Sequence, residues 1–270
     1  MTASGWATRR ADSFSRTLAE WSLDRLRQFL AAQGLSPTDD LLGSFQEYRR
    51  ILLDWNRRVN LTAITDPTGV EIRHFIDSLL CLEIPGFKGL LRAGTILADV
   101  GTGAGFPGVP IRLVCPEIEL WLIESSLKRA RFLDELVARL GLDRVKVIPR
   151  RAEDVGRDRA YREGATLVVA RALARLPTLV EVTLPLVAPG GWAVYWKGPP
   201  DLPDLPPTLP FIRRLGAEPA GTFGPFGRAY GLDRIFIVLE KIAPTPEAFP
   251  RRPGIPFKRP AVRLKESAPP

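Results

Sequence analysis

The chain has 270 residues, 45% of them apolar, so it is long and apolar enough to bury a sizeable core. No apolar run has the length of a membrane-spanning helix. One histidine and two distant cysteines, Cys81 and Cys115, give no spacing for a metal site and indicate reduced core thiols of a cytoplasmic protein. The net charge of +8 favours a polyanionic partner, although residues 241–270 carry +5 and the first 240 only +3.

Composition and apolar spacing divide the chain into four predicted regions. In chain order these are a disordered leader at residues 1–17, a helical cap at 18–85, the main domain at 86–241 and a basic proline-rich arm at 242–270.

Three helices are predicted within the cap. Apolar residues at helical spacing indicate helices over Leu18–Gln33 and Leu41–Asn56. A third helix is predicted to start at Pro67, with Asp66 as its cap, and to run to about Leu82.

After the cap, short apolar runs alternate with helical segments. Five runs predict strands: Thr95–Val100, Glu119–Glu124, Val145–Pro149, Leu167–Ala170 and Trp192–Trp196. Intervening helices such as Ser126–Leu140 and Leu173–Leu184 make this a doubly wound, mostly parallel α/β sheet covered by helices on both faces.

The end of the chain follows a different pattern. Phe211–Leu215 and Arg234–Glu240 are expected to be two closing strands, antiparallel because a Gly/Pro-rich stretch separates them. The last 30 residues contain eight prolines, which predicts an extended arm without a helix.

A glycine-rich loop follows the first predicted strand, as Asp99-Val-Gly101-Thr-Gly103-Ala-Gly105-Phe106-Pro-Gly108. Glycines let a backbone turn sharply and approach a ligand closely. A dinucleotide fingerprint starting at Gly101 fails because Phe106 occupies its third glycine position. A frame starting at Gly103 fits, but it begins two residues further from the strand. The spacing of Asp99, Gly101, Gly103 and Gly105 is the better match to methyltransferases that bind S-adenosylmethionine.

The second predicted strand ends in an acid, Glu124, 23 residues after Gly101. A carboxylate there can accept hydrogen bonds from two ribose hydroxyls. The alternative is a helix-capping acid before Ser125-Ser126. After the third strand, Ala152 and Glu153 stand where an adenine edge would lie.

The residues at this point resemble the glucose-inhibited division protein B family, the small-subunit methyltransferases G that modify guanine N7 in 16S ribosomal RNA. The similarity spans roughly residues 40–260 and rests on motifs in the family's order: Trp55–Ile64, Arg73–Leu79, Asp99–Pro110, Glu124–Phe132, Val169–Ala172, Lys197-Gly198 and Phe249–Gly254. Members often carry an Arg-His pair before the last strand, where this chain has Gly231-Leu-Asp-Arg234, which leaves the role of that pair open.

The resemblance implies a class I S-adenosylmethionine-dependent fold and a set of cofactor contacts. Gly101 and Phe106 would line the cofactor site, and Arg171 would also contact the cofactor. The ribose would lie near Glu124, Ser125 and Ser126, and the adenine near Ala152 and Glu153. The implied partner is ribosomal RNA or the small ribosomal subunit. The protein itself is expected to be a monomer without a membrane anchor.

Several cations and polar groups are candidates for RNA contact, each with a plainer alternative. The candidates are Arg57, Arg58, Asn60, Arg73, His74, Lys128, Arg129, Arg131, Lys197, Arg251 and Arg252. Lys128, Arg129 and Arg131 start a predicted helix, where cations oppose the dipole and a phosphate would account for them. Lys197 follows an aromatic run that could stack on bases. For Arg57, Arg58 and Asn60 the alternative is helix termination, and for His74 it is helix packing. For Lys128, Arg129 and Arg131 it is a solvated helix face. For Lys197 it is aromatic core packing, and for Arg251 and Arg252 it is a solubilising tail.

Guanine N7 carries no proton, so its methylation requires alignment and not a general base. No catalytic acid or base is therefore assigned. Two rival functions stay open: a nucleotide-dependent oxidoreductase, disfavoured by the glycine spacing, and an RNA-binding protein with a non-catalytic methyltransferase fold. The intact set of Asp99, the loop glycines and Glu124 argues against the second.

Overall fold

The computed structural model describes residues 22–263, and the predicted leader at 1–17 lies outside them. Within that range seven strands form one sheet of order β3-β2-β1-β4-β5-β7-β6. They are β1 Ile96–Val100, β2 Glu119–Ile123, β3 Val145–Ile148, β4 Ala165–Arg171, β5 Val187–Lys197, β6 Ala217–Phe226 and β7 Arg234–Lys241. β1 to β5 pair in parallel, and β7 is antiparallel to both β5 and β6. The predicted doubly wound, mostly parallel sheet is confirmed.

Helices cover both faces of this sheet. In chain order they are α1 Asp24–Ala32, α2 Asp39–Asn56, α3 Pro67–Gly69, α4 Asp77–Leu79, α5 Phe87–Leu90, α6 Gly108–Val114, α7 Leu127–Arg139, α8 Ala152–Val155, α9 Leu176–Thr183, α10 Leu205–Arg214 and α11 Ile255–Lys258. Because strand side chains alternate, Leu97 faces a cluster shared with the N-terminal helices, and Ala98 faces a second cluster that includes α9 and α10. The N-terminal helices are thus one layer of the same core. No described helix is long and apolar enough to cross a membrane.

The third N-terminal helix is composite and not uniform as the sequence predicts. Asp66 caps it by accepting from the Gly69 backbone N–H at 2.7 Å. It passes from α3 into a π-helical segment, Val70–Ile76, then through α4 into a 3₁₀ turn, Leu80–Glu83. π-Helical segments are rare and often occur at functional sites. This one carries Arg73 and His74.

The predicted strand at Phe211–Leu215 is wrong, because these residues lie in and directly after α10. Prolines at the first positions of α10 favour a helix start, since they lack an N–H that would be unpaired there anyway. The closing strand is β6, which carries Pro219, Gly221 and Pro225. Two register shifts against β7 and a position at the edge of the sheet accommodate these residues.

The described part of the predicted arm, residues 242–263, packs against the sheet domain instead of extending freely. Phe249 is buried, and the Arg162 guanidinium donates to the carbonyls of Phe249 and Thr245 at 2.8 and 2.6 Å. The expectation of no helix is also wrong, because α11 forms with Pro256 in its first turn. Residues 264–270 lie outside the described range.

Candidate active site

The loop between β1 and α6 is organised around the Asp99 carboxylate, which is fully buried. Its Oδ2 accepts from the Thr102 hydroxyl at 2.6 Å and from the Gly108 N–H at 2.8 Å. Its Oδ1 is buried without a hydrogen-bond partner among the described residues. Burial raises the pKa of Asp99 to about 6, against the lowering effect of its two hydrogen bonds and of Arg171. Asp99 therefore holds the loop from beneath.

Glu124, directly after β2, fixes the same loop from the side. Its Oε2 accepts from the Gly103 N–H at 3.1 Å, and its Oε1 accepts from the Ser126 N–H at 2.8 Å. The side chain is almost buried, and Arg129 approaches Oε2 at 3.9 Å. An ionised carboxylate has about four acceptor positions, so Glu124 can still accept from a ligand. Glu124 can therefore serve both roles considered from the sequence: it caps the start of α7 and can still contact a ligand.

A cavity of about 250 Å³ opens at the carboxyl ends of β1 to β4. Its wall is formed by Val100, Gly101, Ile123, Glu124, Ser125, Arg129, Arg150, Arg151, Ala152, Glu153, Ala172, Leu173 and Phe257. This is where open α/β sheets bind ligands. The predicted cofactor residues in the wall are Gly101, Glu124, Ser125, Ala152 and Glu153.

The other predicted cofactor residues lie around this cavity and not in its wall. They are Asp99, Gly103, Gly105, Phe106, Ser126 and Arg171. Asp99, Gly103 and Ser126 belong to the hydrogen bonds that shape the loop. At Gly105, with φ of +94°, an added Cβ would lie 2.6 Å from the Tyr48 hydroxyl oxygen, so α2 packs tightly on the loop.

Phe106 lies in an aromatic stack between the loop and the N-terminal helices. Its ring is stacked on Tyr48 and on His74, with centroids 5.2 and 4.5 Å apart, and the Arg171 guanidinium lies over it at 5.2 Å. Burial, then the charge of Arg171, lowers the pKa of His74 to about 4. His74 is therefore neutral at pH 7. Its Nε2 lies 2.9 Å from the Thr62 hydroxyl.

Asp77 joins two arginines beside this stack, a pairing that the sequence did not reveal. Its carboxylate accepts from Arg171 at 2.8 Å and, through both oxygens, from Arg234 at 2.8 and 2.9 Å. The Trp196 indole donates to the Asp77 carbonyl at 2.8 Å. Arg234 thus ties the start of β7 to the N-terminal helices, which gives this position a structural role.

Comparison with known proteins identifies the family. The model described as rRNA small subunit methyltransferase G matches residues 41–205. The chain belongs to this family. Relatives named ribosomal RNA small subunit methyltransferase G from Pelotomaculum thermopropionicum and Alkaliphilus oremlandii are 40% and 42% identical, over 88% and 85% of this chain and 98% and 95% of their own. The family resemblance inferred from the sequence is confirmed.

Solved structures support the fold. The crystal structure of a mutant of MtNAS aligns with a TM-score of 0.50 and 15% identity, over 76% of this chain and 75% of that one. MtNAS in complex with MTA and tNA gives 0.50 and 16%, over 74% and 73%. With the strand order and the family match, this confirms the predicted class I methyltransferase fold.

The candidates for RNA contact divide into side chains that are exposed to solvent and side chains that are bonded to other parts of the protein. Exposed side chains are Arg57, Arg58, Asn60, Arg73, Lys128, Arg131 and Arg252. Arg58 also pairs with Asp54 at 3.2 Å. Arg129 faces the Glu124 carboxylate, which gives a local reason for one cation at the start of α7.

Lys197 and Arg251 are engaged inside the protein. Lys197 is almost buried and donates to the Ala174 carbonyl at 2.9 Å. Tyr195 and Trp196 beside it are buried, so the predicted aromatic platform is core packing. Arg251 forms a two-pronged pair with the buried carboxylate of Glu181, at 2.7 and 2.6 Å.

Several wall residues are not among the predicted site residues, and they include Ala172, Leu173 and Phe257. Ala172 has φ of +54°, a left-handed conformation that is uncommon for alanine and that its residue type does not predict. Leu173 reads as the start of a helix, although α9 begins only at Leu176. Phe257 reads as part of a proline-rich arm.

The pKa of Asp99 gives a test of its burial. Its folded pKa of about 6 exceeds the unfolded value of 3.8, so its protonation stabilises the folded state. That contribution is complete below pH 3.8 and is lost as the pH rises through 6. We expect the unfolding free energy of wild type, minus that of Asp99→Asn, to fall by about 2–3 kcal/mol between about pH 4 and pH 7, as measured by urea denaturation. A difference independent of pH would contradict this account.

Proposed function

We propose that the chain transfers the methyl group of S-adenosylmethionine to N7 of a guanine in small-subunit (16S) ribosomal RNA. The observation that carries the proposal is the cavity with Gly101 and Glu124 in one wall, at the end of a class I methyltransferase sheet. Family membership supports the enzyme class, the cofactor and the RNA substrate, because the relatives are named as small-subunit rRNA methyltransferases.

The wall residues fit the cofactor. A Cβ added at Gly101, where φ is +69°, would lie 2.5 Å from Cδ1 of Leu173, so this side chain of the cavity wall would have to move. Glu124 keeps acceptor positions for ribose hydroxyls, and Ala152 and Glu153 border the far end. When bound, S-adenosylmethionine supplies an electrophilic methyl group on a sulfonium.

The side chains near the loop suit a reaction that needs alignment and no proton transfer. His74 is neutral and stacked on Phe106, and Asp99 is buried beneath the loop. Neither is placed as a general base, and N7 needs none. The proposed roles of the residues are to hold the cofactor, to orient the guanine and to exclude water.

We propose that RNA phosphates contact four exposed cations, Arg73, Lys128, Arg131 and Arg252. We also propose that the protein is a monomer with a cytoplasmic location. Cys81 and Cys115, both free and buried, support a reducing compartment.

Mapping methylated guanines in ribosomal RNA tests the function directly. Cells of the encoding organism that lack the gene are expected to lose one N7-methylguanosine of 16S ribosomal RNA. Wild-type protein should restore it, and Glu124→Gln should restore it poorly, because a charge-assisted hydrogen bond worth about 1.5–3 kcal/mol is weakened. Primer extension after borohydride–aniline cleavage locates the position. An unchanged methylation pattern in the deletion strain would exclude this function.

Two glycines at positive φ provide a matched test of the cofactor site. Gly101→Ala and Gly141→Ala both place alanine at positive φ, with a strain of about 1–2 kcal/mol. Gly141 follows α7 outside the cavity wall, and nothing lies within 4 Å of a Cβ added there. We therefore expect a loss of stability in both variants, but a weakening of S-adenosylhomocysteine binding of about tenfold or more only for Gly101→Ala. Equal affinities of the two variants by calorimetry would refute the fit.

Arg251 and Arg252 are adjacent but differ in their predicted effects. Arg252→Ala removes an exposed cation, so the slope of log K for RNA against log salt should shrink by about 0.7–0.9 with stability unchanged. Arg251→Ala leaves the buried Glu181 carboxylate with the backbone N–H of residue 251 but without the guanidinium, so it should cost about 1.5–3 kcal/mol of stability. Fluorescence titration at several salt concentrations and urea denaturation measure the two effects. A loss of stability in Arg252→Ala would contradict the exposed position of Arg252. Unchanged stability in Arg251→Ala would contradict the pairing of Arg251 with Glu181.

A further inference from the structure

Phe257 is a large apolar side chain that the folded chain leaves partly in water beside the cavity. It is 44% exposed and belongs to the cavity wall. Covering the exposed part of this ring with an apolar or aromatic ligand surface would gain free energy in proportion to the area removed from water. The sequence predicts a proline-rich arm at this position and gives Phe257 no role in the cofactor site.

Three contacts fix the segment that carries Phe257. The Glu153 carboxylate, almost fully buried, accepts from the Gly254 N–H at 2.8 Å. The Thr178 hydroxyl donates to the Pro256 carbonyl at 2.9 Å, and Arg251 pairs with Glu181. The backbone leading up to Phe257 is thus held at three points, so the ring sits on a positioned element.

The order of the strands indicates which end of a nucleoside Phe257 would meet. Gly101 follows β1, Glu124 follows β2, and Ala152 and Glu153 follow β3. With the ribose at Glu124, the base lies on the β3 side. Phe257 shares the cavity wall with Ala152 and Glu153, and the bond from Gly254 to Glu153 joins its segment to the same residues, while Thr178 and Glu181 hold that segment from α9.

We propose that Phe257 stacks on the adenine of the bound cofactor, on a segment that the contact from Gly254 to Glu153 holds at the cavity. This rests on the proposed function, because it takes a sulfonium nucleoside as the ligand. The C-terminal segment then completes the cofactor pocket. Removing an aromatic ring that stacks on a base lowers affinity by about 5- to 150-fold.

Ile255 offers a matched control on the same helix. It is also exposed, at 36%, but it does not belong to the cavity wall. Calorimetry with S-adenosylhomocysteine should show a loss of at least about fivefold for Phe257→Ala and less than about twofold for Ile255→Ala. Phe257→Leu keeps the apolar volume without an aromatic face and should also lose affinity, whereas Phe257→Trp should retain it. Thermal unfolding without ligand should be unchanged in all four variants.

A fluorescence readout is independent of affinity. Phe257→Trp places an indole against the adenine, so saturating S-adenosylhomocysteine should quench this variant more than wild type.

Retained affinity in Phe257→Ala, an equal loss in Ile255→Ala, or a loss of RNA affinity alone would overturn the inference. The last result would assign the ring to a base of the RNA. If wild type itself fails to bind S-adenosylhomocysteine, the proposed function fails as well, which separates the two conclusions.

Discussion

Two carboxylates hold the loop between β1 and α6 in the shape on which the cavity depends. Asp99 accepts from Thr102 and Gly108 beneath the loop, and Glu124 accepts from Gly103 at its side. Each carboxylate ends or follows a parallel strand, so the sheet sets their separation. The loop glycines then supply positive φ angles and close approach without side chains in the way. The loop residues that border the cavity, Val100 and Gly101, therefore depend on Asp99 and Glu124 for their position.

The N-terminal helices act on this loop directly and do not merely shield the sheet. Tyr48 donates to the Ala104 carbonyl at 2.6 Å and stacks on Phe106, whose other neighbour is His74. Asp77 adds a second link, through Arg171 at the end of β4 and Arg234 at the start of β7. A change in the N-terminal layer would thus reach the cofactor loop through packed rings and paired charges, although no described residue of that layer lines the cavity.

The sequence predicts those features of this molecule that depend on local spacing. Alternating apolar runs predicted β1 to β5, and the glycine spacing followed by an acid predicted Gly101 and Glu124 in one wall. Long-range partners have no such signature. The positive charges of Lys197 and Arg251 suggested phosphate contacts, but the fold supplies Ala174 and Glu181 as partners from other elements. The sequence predicts a strand at Phe211 where the structure has α10, because a helical stripe of apolar residues resembles a short apolar run. That any of the predicted cofactor residues, inside or outside the wall, touches the ligand stays a prediction.

The C-terminal segment shows why composition alone misjudged a part of the site. Eight prolines and a charge of +5 are typical of a solvated tail, yet proline costs no hydrogen bond in a first helical turn. Two buried acids elsewhere in the chain hold this segment in place. Glu153 accepts a hydrogen bond from the backbone N–H of Gly254, and Glu181 accepts from the guanidinium of Arg251. A buried carboxylate without a partner would cost several kcal/mol. The segment and the domain therefore stabilise each other, and the basic, proline-rich segment contributes Phe257 to the wall of the cavity.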